Sequence, residues 1–427
     1  LRYFIKKFFF ELGCLVFFCH PSQAFSQPFI YPGIQTSIES GLSQTNTRGA
    51  AAALSNPANI VIMQGSRSET KSKSSRAGVE VYGDFSLMNV DYIYERSGYD
   101  PVRVSLTATP ISVGMAWRPS SKFAVGLLFV PRPASGEGNT IENVPIQQGR
   151  EIMLVNVSST AGTAITAAGL SFKPSGNLTL GIGFIETAET NTTAAKPVED
   201  AETDPPLLQM SFSGEFIQFI AGARGRLSPN TIFGGSFKSS VIKKYSGEMS
   251  LSGSNPVQTT KQDYIPSTFA IGLEQLMNTT VIFGEYRREG WASGGSQVRS
   301  GTLGSPNSKD LKDVNILIGG GRYQWGKGHA IGASVGRYPA NVGFGSAVDA
   351  DGQAISGEMK SGVELGDFYA LDRTVFAFGY RANLTRGYFS GGVNMQNGSR
   401  SVPLGYLGSG KYALSVFTIA LGGAYGF

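Results

Sequence analysis

From about residue 77 to the C-terminus, large apolar side chains alternate with small or polar ones at a period of two. In 178–184 one face carries Leu178, Leu180, Ile182 and Phe184, and the other carries Thr179, Gly181 and Gly183. Phe123, Val125, Leu127 and Phe129 share a face opposite Ala124 and Gly126, and Phe376, Phe378 and Tyr380 lie opposite Ala377, Gly379 and Arg381. Successive side chains of an extended chain point to opposite faces of a sheet, so this pattern specifies strands with one greasy face. Fourteen are expected, near 77–95, 104–118, 122–131, 152–173, 178–190, 207–226, 231–250, 264–276, 279–291, 313–325, 329–338, 367–382, 386–396 and 411–427.

The connections narrow the fold further. Six are short: Pro119–Ser121, Pro174–Asn177, Ser228–Asn230, Met277–Asn278, Gly326–Gly328 and Asn383–Thr385. Most carry residues that favour tight turns. They follow every second strand, and most of the other connections are longer and polar, as in 132–151, 191–206, 292–312 and 339–366. An even-stranded barrel that crosses a membrane with both termini on one side requires this alternation; a soluble sandwich does not. The fold class expected is all-β: a transmembrane antiparallel β-barrel of about 14 strands, residues 77–427, in a Gram-negative-type outer membrane.

Composition agrees. Charged residues make up 16% of the chain, against about a quarter in a typical soluble domain. There are 56 glycines, 27 phenylalanines and 17 tyrosines. A net charge of +5 is too mild to argue for a nucleic-acid partner. Arg2, Lys6 and Lys7, the apolar run Phe8 to Phe18 broken only by Glu11, and Ser22-Gln23-Ala24 read as a secretory signal peptide over 1–24. Both cysteines, Cys14 and Cys19, fall within it, so no disulfide framework is expected.

Residues 25–76 are too few for a domain with its own core. Their small residues suit tight packing inside another element, the alternative being a flexible leader; the resemblance given below implies a small, partly helical hatch in the lumen. Short helices are expected at 34–43 and over Arg48–Leu54; Asn56 then caps a further turn, with Pro57 at its first position. At the other end Phe417, Ile419, Leu421, Tyr425 and Phe427 share a face. Tyr425 and the terminal Phe427 form the aromatic mark read by barrel-assembly machinery.

No catalytic constellation, metal cluster or cofactor motif is evident. His329, the lone histidine after the leader, stands beside a turn and is expected to be solvated. Arg373 and Arg381 should face the lumen, where a guanidinium either holds a ligand carboxylate or cross-links to Glu274 and Glu285.

The stretch Gly49–Ile60, with Asn56-Pro57-Ala58 at its centre, resembles the N-terminal signature of the long-chain fatty-acid outer-membrane transporter family (FadL/TodX type). Tyr264-Ile265-Pro266 leading to Gly272, Tyr286 and Trp291 is similar to that family's pattern, as is Leu371-Asp372-Arg373 leading to Gly379, Tyr380 and Phe427. The resemblance covers the N-terminal segment and about the last third. It implies a fourteen-stranded barrel plugged by a hatch, passing hydrophobic small molecules inward without energy coupling. In the family, release is associated with hatch movement or an irregular third strand. Here that strand holds Gly126 and is followed by Pro131 and Pro133, which either mark a lateral opening or merely end the strand. Partners implied are a hydrophobic ligand, outer-membrane lipid and lipopolysaccharide, with a monomeric barrel. A general porin and a surface adhesion or structural barrel are the alternatives.

Overall fold

The structure is a computed structural model. It describes residues 44–45, 47–62, 78–96, 101–131, 139–148, 151–198, 206–251, 255–293, 312–326, 328–340, 347–348, 354–355, 371–405 and 408–427. The leader and the helix expected at 34–43 lie outside the described residues.

Eighteen ladder segments make one closed antiparallel sheet, and four pairs of segments are halves of single strands. The fourteen strands are β1 (Gly78–Arg96), β2 (Val102–Ala108 and Ile111–Ser120), β3 (Phe123–Val130 and Asn139–Gln148), β4 (Glu151–Phe172), β5 (Leu178–Pro197), β6 (Leu208–Ser228), β7 (Thr231–Lys238 and Val241–Leu251), β8 (Val257–Ile265 and Ser267–Met277), β9 (Thr280–Gly290), β10 (Val314–Trp325), β11 (His329–Tyr338), β12 (Arg373–Asn383), β13 (Gly387–Gly405) and β14 (Gly408–Gly426). β1 closes on β14 from Glu80↔Gly426 to Arg96↔Gly410. A two-stranded pairing of Ala347–Val348 with Ala354–Ile355 lies between β11 and β12.

Each interruption has a local cause. Pro110 and Pro266 each break a strand because proline has no N–H for the ladder. The register of β1 with β2 nevertheless runs on, from Phe85↔Ile111 to Met88↔Ala108. In β7, the eight steps from Lys238 to Ser246 oppose seven from Ile220 to Ser213 on β6. This one-residue bulge is held by Ser239, whose N–H donates to Phe219 O and whose hydroxyl accepts from Phe219 N, each at 2.9 Å. A one-residue slip exchanges the faces of a strand, and above the bulge Lys243 and Tyr245 point inward.

Several strands run further at the loop end than the alternation indicates. β5 continues to Pro197, β13 to Gly405, and Asn139–Gln148 extends β3 through part of the expected loop 132–151. These extensions, such as Thr190-Asn191-Thr192-Thr193, carry no greasy face and leave no hydropathy signal.

Large apolar side chains point outward. Ile182 is 62% exposed, Phe219 68% and Leu317 63%, and Phe129, Phe376, Phe378 and Leu421 are similarly exposed. Their inward neighbours include buried Glu189, Lys243, Glu274, Glu285, Arg373 and Arg381. A water-soluble sandwich would show the reverse distribution, whereas a barrel wrapped in hydrocarbon needs this one. No helix among the described residues is long and apolar enough to cross a membrane, which says nothing of strands.

At the turn end the outward face becomes aromatic. Trp325 stacks on Tyr323 and His329, with ring centroids 6.2 and 5.7 Å apart, and His329 Nδ1 bonds Tyr380 Oη at 2.7 Å. His329 is exposed as expected, but it is built into this cluster, typical of a membrane interface. Tyr425 and Phe427 meet edge to face at 5.0 Å, and the N–H of Phe427 donates to Val79 O at 2.8 Å.

Candidate functional site

The N-terminal segment lies inside the barrel. Gly49–Leu54 is one short 3-10 helix and Pro57–Asn59 another, and all of their residues are buried. The Asn56 side chain accepts from Ala58 N at 3.1 Å, capping the second turn with Pro57 at its start. The same side chain donates through Nδ2 to Gln44 O at 2.8 Å and Ala223 O at 3.1 Å. Asn56 therefore shapes the plug and fastens it to β6.

Further bonds tie plug to wall. Ser171 Oγ on β4 donates to Ala58 O at 3.0 Å, Arg224 Nε on β6 to Thr45 O at 3.4 Å, and Thr45 Oγ1 to Glu274 on β8 at 2.6 Å. Seven neighbouring strands present a glycine to this segment: Gly114, Gly126, Gly169, Gly181, Gly222, Gly234 and Gly272. A Cβ on Gly114 would meet Ala50 Cβ at 2.7 Å, and one on Gly169 would meet Ile60 Cδ1 at 2.7 Å. The inward glycines form a seat that lets the plug approach the wall backbone to backbone.

Gly126 belongs to this seat. It pairs regularly with Ala116 and Gly169, and Ile60 lies against it. The irregularity of β3 begins beyond Val130, at Pro131. From Val130 to Asn139 β3 takes nine steps while β4 takes six, from Ile165 to Ser159. Among the described residues, 160–164 of β4 have no ladder partner on the β3 side.

A buried apolar cluster joins the plug to the wall beside that gap. Leu54, Ile60 and Val61 pack in one buried cluster with Leu128, Val130, Ile165, Ile185 and Ile220. Val130 and Ile165 are the last ladder pair before the interruption. A second buried cluster, Tyr264, Trp291, Val314, Ile316 and Ile318, lies nearer the loop end, with Ile242 and Tyr338 packed on it. At its rim Asp313 accepts from Arg288 at 2.7 Å and from the N–H of Ala292 at 3.0 Å, which holds its carboxyl below the usual carboxylate range.

The remaining lumen is cross-linked by charge. Lys243 meets Glu189 at 3.0 Å and lies over the Phe216 ring, and Tyr245 donates to the same carboxylate. Glu285 pairs with Arg287 at 2.8 Å, and Glu274 lies 3.9 Å from Arg322. Glu274 and Glu285 are the two carboxylates expected to serve Arg373 and Arg381. Both of those arginines are buried and inward, as the alternation predicts. Arg373 lies over Tyr338 at 5.4 Å; Arg381 lies over Tyr388 at 4.2 Å and donates to Asn383 at 3.0 Å. Tyr388, which Arg381 covers, belongs to the buried cluster that includes plug residues Ala50 to Leu54. No group of three or more His, Cys, Asp or Glu among the described residues is placed to hold a metal ion.

Comparison with solved structures decides the fold. A Pseudomonas aeruginosa FadL homologue aligns at a TM-score of 0.63 and 14% identity, over 92% of this chain and 98% of that one. The P. putida toluene transporter TodX aligns at 0.61 and 12%, over 92% and 98%. The fold is that of the FadL and TodX barrels. The Ralstonia pickettii toluene transporter TbuX also aligns, at 0.57 and 10%, over 92% and 97%. No protein-family model and no curated protein sequence matches the chain. Spacing and architecture are thus retained where sequence is not, consistent with a fold set by alternation more than by particular side chains. The cap at Asn56 with Pro57 behind it is where the sequence places it. The seat was missed because each glycine looks ordinary within its own strand; only their common height on adjacent strands marks it.

Proposed function

We propose that this chain is an outer-membrane channel for passive uptake of hydrophobic small molecules, long-chain fatty acids or compounds of similar greasiness. The observation that carries the reading is the apolar character of the contact between plug and wall: Leu54, Ile60 and Val61 pack with Leu128, Val130 and Ile165 in one buried cluster that reaches the interrupted stretch of β3. If the plug moves, that contact opens as an apolar surface, on which an apolar solute is stabilised by about 25 cal/mol for each Å² removed from water. Solved structures of the same fold that are described as toluene transporters (TodX and TbuX) and as a monoaromatic hydrocarbon channel (CymD) support this reading.

In this reading the chain is exported by its leader and inserted with the Tyr425 and Phe427 signal, and sits as a monomer among outer-membrane lipid and lipopolysaccharide. The short turns face the periplasm. The lateral exit lies at Pro131, where the regular pairing of β3 ends, Asn56-Pro57-Ala58 holds the hatch, and Arg373 and Arg381 are available to an acidic head group. A general porin would need an open, water-filled turn end, and here that end holds the plug.

The test is mass spectrometry of small molecules released from the purified mature barrel after exposure to a bacterial lipid extract. Retention of an apolar or amphipathic small molecule at near one per barrel is expected. A barrel that retains none would sink the uptake reading.

A further inference from the structure

The short connections at the turn end carry charge of one sign. Residues 118–122, 173–177, 226–231, 277–280, 325–329 and 383–387 include Arg118, Lys122, Lys173, Arg226, Lys327 and Arg386, and no Asp or Glu. The loop end differs. There exposed Asp91, Glu95 and Glu215 mix with exposed Arg103 and Lys244, and Arg288 pairs with Asp313. A solvated rim needs charge, but not charge of a single sign.

Four of these cations are placed by the plug's seat. Arg118, Lys122, Lys173 and Arg226 each lie four residues nearer the turn than a seat glycine: Gly114, Gly126, Gly169 and Gly222. An even step along a strand keeps the same face, so all four continue the inward face. The outward positions beside them hold Trp117, Phe172 and Leu227, which are exposed on the wall. The cations therefore line the mouth of the lumen beneath the plug, not the leaflet around it. The N–H of Lys173 donates to Lys122 O at 2.7 Å, so the two lysines are direct neighbours on β4 and β3. Such like-charge pairing costs stability. Arg118 adds a third cation on β2, and its Nε is buried without a hydrogen-bond partner among the described residues. On the far side the N–H of Arg226 donates to Asn177 O at 2.9 Å, which sets Arg226 beside the next turn. Carboxylates enter one inward step higher, where Glu80 lies against Gly49 and Glu274 accepts from Thr45.

We propose that this arc is a docking site for an acidic segment of a water-soluble protein in the periplasm. The proposal rests on the reading above that the short turns face the periplasm. A concave mouth lined by one sign of charge focuses its field and gathers the opposite sign. From β2 to β6 the arc covers four strand spacings, about 19 Å, which about six residues of an extended peptide would span. One carboxylate or phosphate cannot reach across it. Exposed Asn177 and Asn230 stand in the same arc, four residues below Gly181 and Gly234. Their amides both donate and accept, as a peptide backbone requires, whereas a polyphosphate offers acceptors only. Cations meant for lipid head groups would lie on the outward face.

Fluorescence anisotropy of a dye-labelled hexaglutamate peptide reads the site, with the mature barrel held in phosphatidylcholine nanodiscs at low salt. The wild type is expected to bind hexaglutamate and not hexaglutamine. Lys122→Gln, Lys173→Gln and Arg226→Gln together should weaken binding about tenfold, with heat-modifiable migration kept. Should that triple variant not fold, Lys122→Gln with Lys173→Gln makes the same comparison at two exposed positions. Equal binding by wild type and variant would overturn the proposal. So would competition by inorganic phosphate at the peptide's own concentration, which marks a small-anion site. Selective retention of phosphatidylglycerol that the variant loses would also overturn it, by assigning the cations to lipid. The side of the membrane is read separately. Both native cysteines, Cys14 and Cys19, lie in the leader segment, so Ser175→Cys gives the mature chain one thiol in an exposed turn. An impermeant maleimide should label it only after the outer membrane is permeabilised. Labelling in intact cells would place the arc outside and overturn a periplasmic partner. Peptide binding is read without hydrophobic cargo, so its loss bears on the arc alone and loss of uptake on the channel alone.

Discussion

Asn56 is the residue on which most of the plug's geometry converges, because its amide both accepts and donates. Replacement by Ala removes the cap, the bond to Gln44 O within the plug and the bond to the wall at Ala223 O. Loss of a cap costs about 1 kcal/mol and each orphaned buried partner about 1–3, so the docked plug should weaken by a few kcal/mol while the barrel stays folded. Asn56→Asp keeps the acceptor for Ala58 N but loses the donors to Gln44 O and Ala223 O. Hydrogen exchange over 49–62 should therefore rank wild type slowest, Asp intermediate and Ala fastest. Equal exchange in all three would mean that the amide does not hold the plug. The seat makes a second residue-scale prediction. Gly169→Val would drive a side chain into Ile60 and Pro57, an overpacking cost of about 1–3 kcal/mol, whereas a Cβ on Gly319 meets nothing nearer than 3.9 Å. Limited proteolysis should cut the N-terminal segment faster in Gly169→Val and at the wild-type rate in Gly319→Val.

Among the elements, β3 is the one on which the proposed exit rests. It takes nine steps from Val130 to Asn139 while β4 takes six from Ile165 to Ser159. Excising three residues from 132–138, which equalises the two counts, tests that proposal. Uptake should then fall at least tenfold while the barrel keeps its heat-modifiable migration; unchanged uptake would rule out an exit at this strand. The elements also show why part of the structure was legible in the sequence. Strands bathed in lipid need a greasy face, so 178–184 and 123–130 announce themselves by alternation. The second half of β3, Asn139–Gln148, does not alternate cleanly, and the bulge at Ser239 has no hydropathy signature. Such features are set by neighbouring strands, which a reading along one chain does not supply. The plug was legible for a different reason: Asn56-Pro57 is a local device, a cap followed by a residue already fixed in φ, and local devices survive in sequence.

At the scale of the whole molecule, the structure is an inside-out protein with its largest side chains facing lipid, a charged and cross-linked lumen, and a small apolar plug at the turn end. We propose that this arrangement admits greasy molecules and refuses polar ones. Measuring initial accumulation in Gram-negative cells that lack their own hydrophobic-uptake barrel tests this directly. A labelled long-chain fatty acid or monoaromatic compound and a labelled small sugar would be followed in parallel, with and without the full-length chain. Several-fold faster entry of the hydrophobic compound, with sugar entry unchanged, is the predicted result. Faster sugar entry, or no acceleration of either, would contradict it.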